Sequence, residues 1–422
     1  MGRYLKLCHT SDWHLGHSLH GHSREHEHRA FLTFLLDLLA REEVDALVVA
    51  GDVFDSANPP ASAQAMFYSF LAEARTRLPR LNVVVIAGNH DSAARLSAPD
   101  PLLRAHGVRV VGAVPRRGPS SRDPIDGDAL VVPLHGRNGE VAAWVAAVPY
   151  LRAADLPALD EGESVANGVR RIYDAVLGAA RARRRDGQAL IATGHLTTLD
   201  TTPSEQSERA ILVADKNAVG ADLFGADVTY AALGHLHLAQ AVGDREHLRY
   251  SGSPIPLAMS EANYPHQVRL VRFERGRLAG QDAVRVPRAV DVLRVPEDGP
   301  GELDAVLGQL ERLELREGAP REAWPYLEVR VRLGAPVPDL RARIEAALGD
   351  RPVRLVKIGV ERPKAQGALA EQTPRRELAD LDVEDVFRRC YARSFEGEPS
   401  PELLDAFAEV AEAARRRLEE QR

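Results

Sequence analysis

Five short motifs between residues 12 and 237 place acids, an amide and histidines at spacings that suit metal binding. They are Asp12-Trp13-His14, Gly51-Asp52-Val53-Phe54-Asp55, Gly88-Asn89-His90-Asp91, Gly194-His195 and Gly234-His235-Leu236-His237. Each follows an apolar, β-branched run, so each is expected to project ligand atoms from the end of a strand into a common crevice. The candidate metal ligands are Asp12, His14, Asp52, Asn89, His195, His235 and His237.

This donor set is large enough for two divalent cations. Two cations about 3.5 to 4 Å apart are the usual device for in-line attack of water on a phosphate ester. Asp12 and His14 are two positions apart, so on an extended strand end both side chains point the same way and can bind one cation. Asp52 follows a buried run and is predicted to bridge the two cations. Mixed imidazole and oxygen ligands suit Mn²⁺, Fe²⁺ or Zn²⁺ better than Mg²⁺ alone.

Two residues of the third motif are predicted to be catalytic rather than metal ligands. The His90 imidazole can stabilise the transition state or protonate the departing oxygen, with Asp91 fixing its tautomer or orientation. Any one motif is also typical of an ordinary turn, but five of them in this order, each after a strand, predict a dinuclear phosphoesterase.

Other polar residues fit structural roles better. Five histidines crowd one polar loop and the start of a helix: His17, His20, His22, His26 and His28. Their irregular spacing favours a solvated or substrate-facing loop over a third metal site. His9 is expected to be packed in a strand. Asp55 either accepts a hydrogen bond behind a ligand or supports the turn before the prolines at 59–60. Residues 181–185, rich in arginine, are expected to form a solvated helix end.

Composition limits the class of protein. A chain of 422 residues is long enough for two or three domains. Its net charge of −7 argues against a uniformly basic nucleic-acid coat, so contacts with polyanions must be local or run through metal and backbone. Two cysteines are too few for a disulfide framework and favour a reducing cytoplasm. The N-terminus lacks a signal-like apolar core, and no apolar stretch is long enough to span a bilayer, so no membrane anchor is expected.

The apolar patterns predict an α/β protein. Strands at 3–9, 46–50 and 83–87 alternate with helices at 27–41 and 62–78, which is typical of a parallel layer. A second, partly antiparallel layer and a further helix are predicted next, from strands at 108–111, 129–133, 141–148, 189–193, 228–233, 268–273 and 285–286 and a helix at 165–184. Residues 1–287 are therefore interpreted as one domain.

The remaining chain is predicted to form a smaller domain, a linker and two helices. Strands at 292–295, 326–333 and 353–358 with helices at 303–315 and 340–348 form a βαβαβ unit within residues 288–362, whose thin core should lean on the first domain. Residues 363–374 are polar and interpreted as a linker. Residues 375–422 contain two amphipathic helices, at 383–393 and 401–420.

The five motifs resemble those of the calcineurin-like metallophosphoesterase superfamily. More narrowly, the residues around them are similar to the SbcD family, the nuclease subunits of bacterial SbcCD complexes: this likeness is carried by residues 9–16, 50–55, 59–60, 192–198, 232–237 and 250–256. It extends over essentially the whole chain. The resemblance implies a four-layer α/β/β/α nuclease domain, a capping domain, and C-terminal helices that dock on the coiled-coil base of an SbcC-like ATPase.

The resemblance also implies roles for individual residues and partners. One cation would be held by Asp12, His14, Asp52 and His237. The other would be held by Asp52, Asn89, His195 and His235, with His90 catalytic. In the family the cation is usually Mn²⁺, and the nuclease forms a homodimer that makes a heterotetramer with the ATPase. The implied activity is 3′ to 5′ exonuclease on duplex DNA ends and endonuclease on single strands or hairpins, in DNA replication, repair and recombination. Many relatives carry histidine in place of Asp55, so the role of that histidine does not transfer.

Two other functions compete with this interpretation. A stand-alone phosphodiesterase acting on nucleotides or phosphoproteins would need the same metals. The predicted C-terminal helices argue against this function, since their apolar faces are larger than those of a solvent-exposed tail. The alternative is that these helices pack on the parent domain. A non-catalytic scaffold that tethers DNA ends is disfavoured, because a ligand is present at every motif.

Overall fold

The computed structural model describes residues 4–120, 123–159, 162–202, 218–316, 318–335, 337–361 and 387. The chain divides into two compact units, residues 1–362 and 363–422, and every element given below belongs to the first. The predicted linker at 363–374 and the predicted C-terminal helices lie outside the described residues, apart from position 387. Within the described part, no helix has both the length and the apolar character needed to cross a membrane.

The first sheet has six strands and carries three of the five motifs. In spatial order its strands are Arg277–Arg285, Gln267–Glu274, Tyr4–Thr10, Ala46–Ala50, Asn82–Ile86 and Val108–Val111. The last four pair in parallel, and Gln267–Glu274 runs antiparallel to Tyr4–Thr10. The strand predicted at 285–286 is the end of the longer edge strand Arg277–Arg285, whose mostly exposed residues carry little apolar signal.

The second sheet also has six strands and carries the other two motifs. In spatial order its strands are Gln240–Val242, Arg245–Tyr250, Tyr230–Gly234, Ala189–His195, Val141–Ala146 and Val131–His135. The prediction missed Gln240–Val242 and Arg245–Tyr250, since one is very short and the other is mostly polar. The strand predicted at 129–133 begins later, because Gly127–Leu130 forms a 3-10 helix.

Helices cover the outer faces of both sheets. Glu25–Arg41 and Ala61–Arg77 pack on the first sheet, and Val165–Arg183 packs on the second. Alternation along Ala46–Ala50 explains the layering: Leu47 and Val49 face the helices, whereas Val48 faces the second sheet. Each fully buried side chain of this kind contributes roughly 1.5 to 3 kcal/mol. The predicted four-layer α/β/β/α arrangement is confirmed. Two short helices, Ala93–Ser97 and Asp100–Arg104, follow the third motif.

A third, smaller sheet lies in residues 288–361, which we call the cap region. Its strands Val292–Val295, Gly301–Glu302 and Arg354–Glu361 all pair in parallel with the central strand Tyr326–Arg332. Helices Leu303–Glu311 and Leu340–Leu348 pack on it with their own apolar core. The predicted βαβαβ order is therefore present, with one extra short strand. The boundary at residue 287 stays a prediction, since both parts fall in one compact unit.

The cap region joins the two-sheet region through a buried polar contact. The Tyr326 hydroxyl donates a hydrogen bond to Glu27 at 3.0 Å. The same carboxylate forms a buried ion pair with Arg24, and Leu19 and Val292 belong to the apolar cluster around Tyr326. Because the Glu27 charge is paired and hydrogen-bonded, its burial is tolerated. This contact agrees with the expectation that the smaller domain leans on the larger one.

Two of the histidines outside the motifs are core residues. His9 is fully buried and bonds the Tyr230 hydroxyl at 3.0 Å and the Leu233 carbonyl at 3.2 Å, which confirms its predicted packing. His28 is fully buried in the helix Glu25–Arg41, so the predicted solvated loop is wrong for this residue. The residue lies on the buried face of this helix, with Phe31 and Leu35.

We expect His28 to make the stability of the metal-free protein depend on pH. Burial, with the nearby Arg24 charge, lowers the pKa of His28 to about 3, whereas an unfolded histidine titrates near 6.5. The unfolded state therefore binds more protons below pH 6.5, and about 1.5 kcal/mol of stability should be lost between pH 6.5 and 5. Urea denaturation should show a correspondingly smaller loss in His28→Leu. Equal losses in this variant and in the wild type would contradict the prediction, and the exposed-site variant His20→Asn serves as the control.

Candidate metal centre

The five motifs meet at the carboxyl ends of neighbouring strands. Tyr4–Thr10, Ala46–Ala50 and Asn82–Ile86 are adjacent in the first sheet, and Ala189–His195 and Tyr230–Gly234 are adjacent in the second. Hydrogen bonds join the two groups: His195 Nδ1 lies 2.9 Å from the Ala50 carbonyl, and the His235 N–H donates to Asp12 Oδ1 at 3.0 Å. The sandwich of two sheets therefore brings together residues more than 200 positions apart in the chain.

Four of the predicted ligands have left-handed backbone conformations. The φ angles of Asp12, His14, Asp52 and His235 are 54°, 47°, 49° and 98°. Each such residue costs roughly 1 to 3 kcal/mol, and residues of this kind concentrate at functional sites. The assumption that Asp12 and His14 continue an extended strand is therefore wrong, because the strand ends at Thr10.

Trp13 holds the first motif in this conformation. Its side chain is fully buried, and its Nε1 donates to Thr10 Oγ1 at 3.0 Å. The ring packs edge-to-face against Phe31, Phe67 and Phe70 in the helix layer. The aromatic contacts help to offset the backbone strain, and the flanking Asp12 and His14 side chains are left for the site.

Two glycines of the motifs are required by close contacts. A Cβ at Gly51 would lie 2.2 Å from His195 Nδ1, and a Cβ at Gly88 would lie 2.1 Å from Asp52 Oδ1. Gly51 also has a φ of +94°, which favours glycine. Any larger residue at either position would displace a predicted ligand.

The first cluster of ligand atoms comes from Asp12, His14 and His237. One ligand atom of each lies within 4.8 Å of the others. His14 Nε2 is also 3.4 Å from Asp52 Oδ2. This nitrogen is buried and has no hydrogen-bond partner among the described residues. A buried nitrogen without a partner is costly unless something else, such as a cation, binds it.

The second cluster comes from Asn89, His195 and His235. Asn89 Oδ1 lies 3.0 Å from His195 Nε2 and 3.1 Å from His235 Nδ1. Asp52 Oδ2 lies 3.3 Å from His195 Nε2. The same Asp52 oxygen therefore faces both clusters, at nearly equal distances from His14 and His195.

The electrostatics of the site favour positive charge. Burial lowers the pKa of His14, but a hydrogen bond to Asp55 and the Asp52 charge outweigh burial and raise it to about 9. Burial also lowers the pKa of His195, but the Asp52 charge and a hydrogen bond to Asp52 outweigh burial and raise it to about 9. Burial also raises the pKa of the Asp52 carboxyl, but the charges of His195 and His14 more than compensate and hold it well below its usual range. His235 differs, since burial and the nearby His195 lower its pKa to about 3.

The donor set fits divalent cations. Both clusters combine imidazole nitrogen with carboxylate or amide oxygen, the mixture preferred by Mn²⁺, Fe²⁺ and Zn²⁺. A bound cation would give His14 Nε2, which has no hydrogen-bond partner among the described residues, an atom to bind, and it would supply positive charge next to Asp52. All seven predicted ligands lie in the two clusters or bridge them: Asp12, His14, Asp52, Asn89, His195, His235 and His237.

His90 lies beside the clusters, on the exposed side of the site. Its ring is 4.7 Å from that of His14, and ligand atoms of His90, His14 and Asp52 lie within 4.8 Å of one another. The His90 N–H donates to Asp52 Oδ1 at 2.9 Å, and its Nδ1 is 2.8 Å from the Asp55 carbonyl. Since a carbonyl only accepts, Nδ1 carries a proton.

The predicted contact of Asp91 with the His90 imidazole does not occur. The Asp91 carboxylate is buried and accepts hydrogen bonds from the N–H groups of Val53, Phe54 and Gly88, at 3.1, 2.9 and 2.8 Å. Burial, followed by the Asp52 charge, raises the pKa of Asp91 to about 6 against these donors. Asp91 therefore ties the second and third motifs together, and the Asp55 carbonyl orients His90 instead. Adjacency in sequence suggested the wrong partner.

Two further acids support the ligands from behind. Asp55 Oδ1 lies 3.3 Å from His14 Nδ1, which resolves its two predicted roles in favour of a hydrogen-bond acceptor. Glu261 was not predicted from the sequence. It is fully buried, and its Oε1 lies 2.8 Å from His237 Nδ1. Glu261 sits in a 3-10 helix, Met259–Asn263, and no local pattern distinguishes it from a surface acid.

An open cleft of about 1020 Å³ lies over both clusters. Its floor includes Asp52, Asn89 and His90, and its far wall belongs to the cap region. That wall carries three cations and one acid: Arg294, Arg330, Lys357 and Glu328. The cations are placed opposite the acidic site, so a polyanion bound in the cleft would meet positive charge on the cap side.

The structure also shows the surroundings of the histidine-rich loop and of the arginine-rich helix end. His17 and His20 line the cleft, in agreement with a substrate-facing loop. Around residues 181–185, Arg181 and Arg184 pair with Asp227, and Arg183 pairs with Asp128. This arginine cluster is thus a partly exposed, ion-paired surface, as expected. In the described residues, the groups of potential metal-binding side chains include none of the histidines from His17 to His28.

Comparisons with known proteins identify the family. A family model described as calcineurin-like phosphoesterase matches residues 5–239, and one described as type 5 capsule protein repressor C-terminal domain matches residues 288–395. Three curated relatives are each named as the SbcD component of the nuclease SbcCD. The one from Rhodobacter capsulatus is 40% identical, and the match covers 92% of this chain and 94% of the relative. Those from Escherichia coli and Bacillus subtilis are each 32% identical, covering 92% and 96% of this chain and 93% and 98% of the relatives.

These matches agree with the strand-end motifs and with the four-layer sandwich that positions them. The phosphoesterase model covers all five motifs, and the relatives extend through the cap region. The chain belongs to the calcineurin-like phosphoesterases and, within them, to the family of SbcD nuclease subunits, and is thus a phosphodiester hydrolase.

Proposed function

We propose that this protein is a metal-dependent DNA nuclease, with 3′ to 5′ exonuclease activity on duplex ends and endonuclease activity on single strands or hairpins. The observation that carries the proposal is the single Asp52 oxygen placed 3.4 Å from His14 Nε2 and 3.3 Å from His195 Nε2, between two ligand clusters. DNA is proposed as the substrate because the curated relatives are named nucleases.

In this proposal Asp12, His14, Asp52 and His237 hold one cation, and Asp52, Asn89, His195 and His235 hold the other. When bound, the cations supply charge stabilisation for the phosphate and an activated water. Mn²⁺ is proposed because the donor set contains both imidazole nitrogen and carboxylate oxygen. The carboxylate of Asp52 would contribute to both positions, and Asp91 holds the loops that present Asp52 and Asn89.

His90 is the proposed proton donor. Its Nδ1–H is held by the Asp55 carbonyl, so the ring is oriented, and Nε2 is the nitrogen that exchanges a proton with the departing oxygen. Its exposure on the cleft side gives the substrate access to the ring.

The cap region is proposed to bind the DNA backbone through the cations on the cleft wall. Lys357 is 48% exposed and lies 2.7 Å from Glu328, which also pairs with Arg294. We expect Lys357→Ala to weaken DNA binding about equally for all sequences, and to reduce the salt slope of the affinity by about 1. Fluorescence anisotropy at several salt concentrations, with metal chelated, measures both quantities. The cap-surface variant Arg341→Ala should change neither, and an unchanged salt slope in Lys357→Ala would remove this wall from DNA binding.

One digestion experiment tests the nuclease function. Hairpin and duplex DNA labelled at the 3′ end should be cut in Mn²⁺, left intact in excess chelator, and cut again when Mn²⁺ is restored. Internal cutting near the hairpin tip and stepwise shortening of the duplex distinguish the two activities. Cutting that persists in chelator, or no cutting with Mn²⁺, Fe²⁺ or Zn²⁺, would contradict the proposal.

The proposed partner is a coiled-coil ATPase. The curated relatives are named as components of an SbcCD complex, and the amphipathic helices predicted at 383–393 and 401–420 provide docking surfaces. The proposal includes a homodimer of this chain, a nuclease domain at 1–287, a cap at 288–362, a linker at 363–374 and docking helices at 375–422. Co-purification of the full chain with the ATPase, and its loss when residues 375–422 are removed, tests the assignment.

A further inference from the structure

Glu261 is a buried acid that the proposed chemistry does not use. Its side chain has no exposed surface. Oε1 lies 2.8 Å from His237 Nδ1, and Oε2 accepts a hydrogen bond from the Leu257 N–H at 2.8 Å. Since Oε2 accepts from a backbone N–H, Oε1 faces His237 Nδ1 as an acceptor, so Nδ1 holds a proton and Nε2 is the nitrogen left to bind a metal.

The equivalent position in the second cluster is different. His195 Nδ1 lies 2.9 Å from the backbone carbonyl of Ala50. A carbonyl also fixes the tautomer, but it carries no net charge. A carboxylate behind a ligand histidine makes the imidazole a stronger metal ligand. The two clusters therefore contain histidines of unequal donor strength.

The segment that contains Glu261 also supports another ligand of the first cluster. Ser251 Oγ is 2.8 Å from Ser11 Oγ, and Ser11 Oγ donates to Asp12 Oδ2. Residues 251–261 thus support the first cluster twice from behind, since Ser251 bonds Ser11, the donor to Asp12, and Glu261 bonds His237. The second cluster is supported instead by the Ala50 carbonyl.

We infer that Glu261 is a positioning residue that selectively strengthens the metal position of Asp12, His14 and His237, and so makes the two positions inequivalent. The inference rests on the proposed dinuclear site. Glu261 acts through one histidine: it sets the tautomer, fixes the ring and raises the donor strength of Nε2. It contacts no residue of the second cluster in the described structure, so its effect is confined to one position.

The test is Mn²⁺ binding to the full-length protein by isothermal titration calorimetry. In Glu261→Gln the amide oxygen can keep the Leu257 hydrogen bond, but the NH₂ group then faces His237 Nδ1 and favours the tautomer with a protonated Nε2. We expect one of the two binding steps to weaken about 10 to 100-fold, while the other is unchanged. The control Glu328→Gln removes an equal charge from the same cleft without touching a predicted ligand, and should leave both steps intact.

Several outcomes would overturn the inference. They are equal weakening of both steps in Glu261→Gln, no weakening of either, or the same weakening in Glu328→Gln. A wild-type protein that binds no Mn²⁺ would overturn the proposed function as well, so the two failures are distinguishable.

A second measurement does not depend on the variant folding. Nitrogen chemical shifts of histidine-labelled wild-type protein report the tautomer of each ring, with His237 assigned by its absence in His237→Gln. The inference requires the metal-free His237 to carry its proton on Nδ1. A proton on Nε2 would overturn it.

Discussion

Replacing Asp52 with asparagine is expected to abolish binding of at least one Mn²⁺ and to lower DNA hydrolysis by roughly 10³-fold. Asp52 Oδ2 lies 3.4 Å from His14 Nε2 and 3.3 Å from His195 Nε2, so its charge is available to both proposed metal positions. Bound cations supply several kcal/mol of transition-state stabilisation, and each 1.36 kcal/mol corresponds to a tenfold change in rate. Calorimetry with Mn²⁺ and the initial rate of duplex shortening measure the two effects.

The fold should survive this change. Asparagine keeps the shape of aspartate and tolerates the left-handed φ of 49° at this position. The matched control is Asp55→Asn, which removes an acid from the same motif but acts only behind His14. Its expected cost is no more than about 10 to 100-fold. Equal losses in the two variants would mean that Asp52 does not bridge the clusters.

Replacing His90 with alanine is expected to lower hydrolysis by about 10² or more, the usual scale for a general acid or base. Mn²⁺ binding and DNA binding should change little, because the predicted ligands remain. The His90 side chain is exposed and its one hydrogen bond is to the Asp55 carbonyl, so the core is not disturbed. Single-turnover rates with saturating Mn²⁺ isolate the chemical step from binding.

The control for this variant is another histidine of the cleft. His20 lines the same cleft but takes no part in either cluster. His20→Asn is preferred to alanine because the φ of His20 is 49°, a region that asparagine tolerates. Its rate should stay well above that of His90→Ala, because His20 faces the cleft but contacts no predicted ligand. Unchanged cleavage in His90→Ala, or a strong loss of Mn²⁺ affinity, would remove His90 from its role as proton donor.

The convergence of the predicted ligand residues could be predicted from the sequence because their signal is local. Burial does not explain a polar residue placed directly after an apolar strand, so such a residue indicates a functional role. Because parallel strands present their carboxyl ends at the same edge of a sheet, these polar residues are predicted to converge. Strand Ala46–Ala50 is found where the pattern places it, and Asp52 follows it into the site. The prediction of strand ends needs only the period of apolar residues.

The geometry inside the site could not be predicted in the same way. The pair Asp12 and His14 was assumed to be extended, but both residues have positive φ, and their backbone N–H groups bond the carbonyls of Gly51 and Asp52 in the second motif. Asp91 was assigned to its neighbour His90, whereas its carboxylate bonds N–H groups of another motif. Neither outcome depends on residues close by in the chain.

Glu261 and His28 are two further residues whose surroundings could not be predicted from the local sequence. Glu261 gains its role from a contact with His237, 24 positions earlier in the chain. The residue types around Glu261 do not indicate this role. His28 lies among polar residues in sequence, yet it is on the buried face of the helix Glu25–Arg41. Burial of a polar residue depends on which face of an element meets its neighbours.

Most of the strands and helices, the identity of the donor atoms and the resemblance to a phosphoesterase family were determined by the sequence itself, since residue type and apolar period are properties of short segments. The tertiary structure alone decided which carboxylate supports which histidine, and placed Arg294 and Lys357 of the cap region across the cleft from Asp52. The physical reason is that a hydrogen bond or an ion pair depends on distances of a few ångströms between side chains, and only the packing of two sheets and a cap sets those distances.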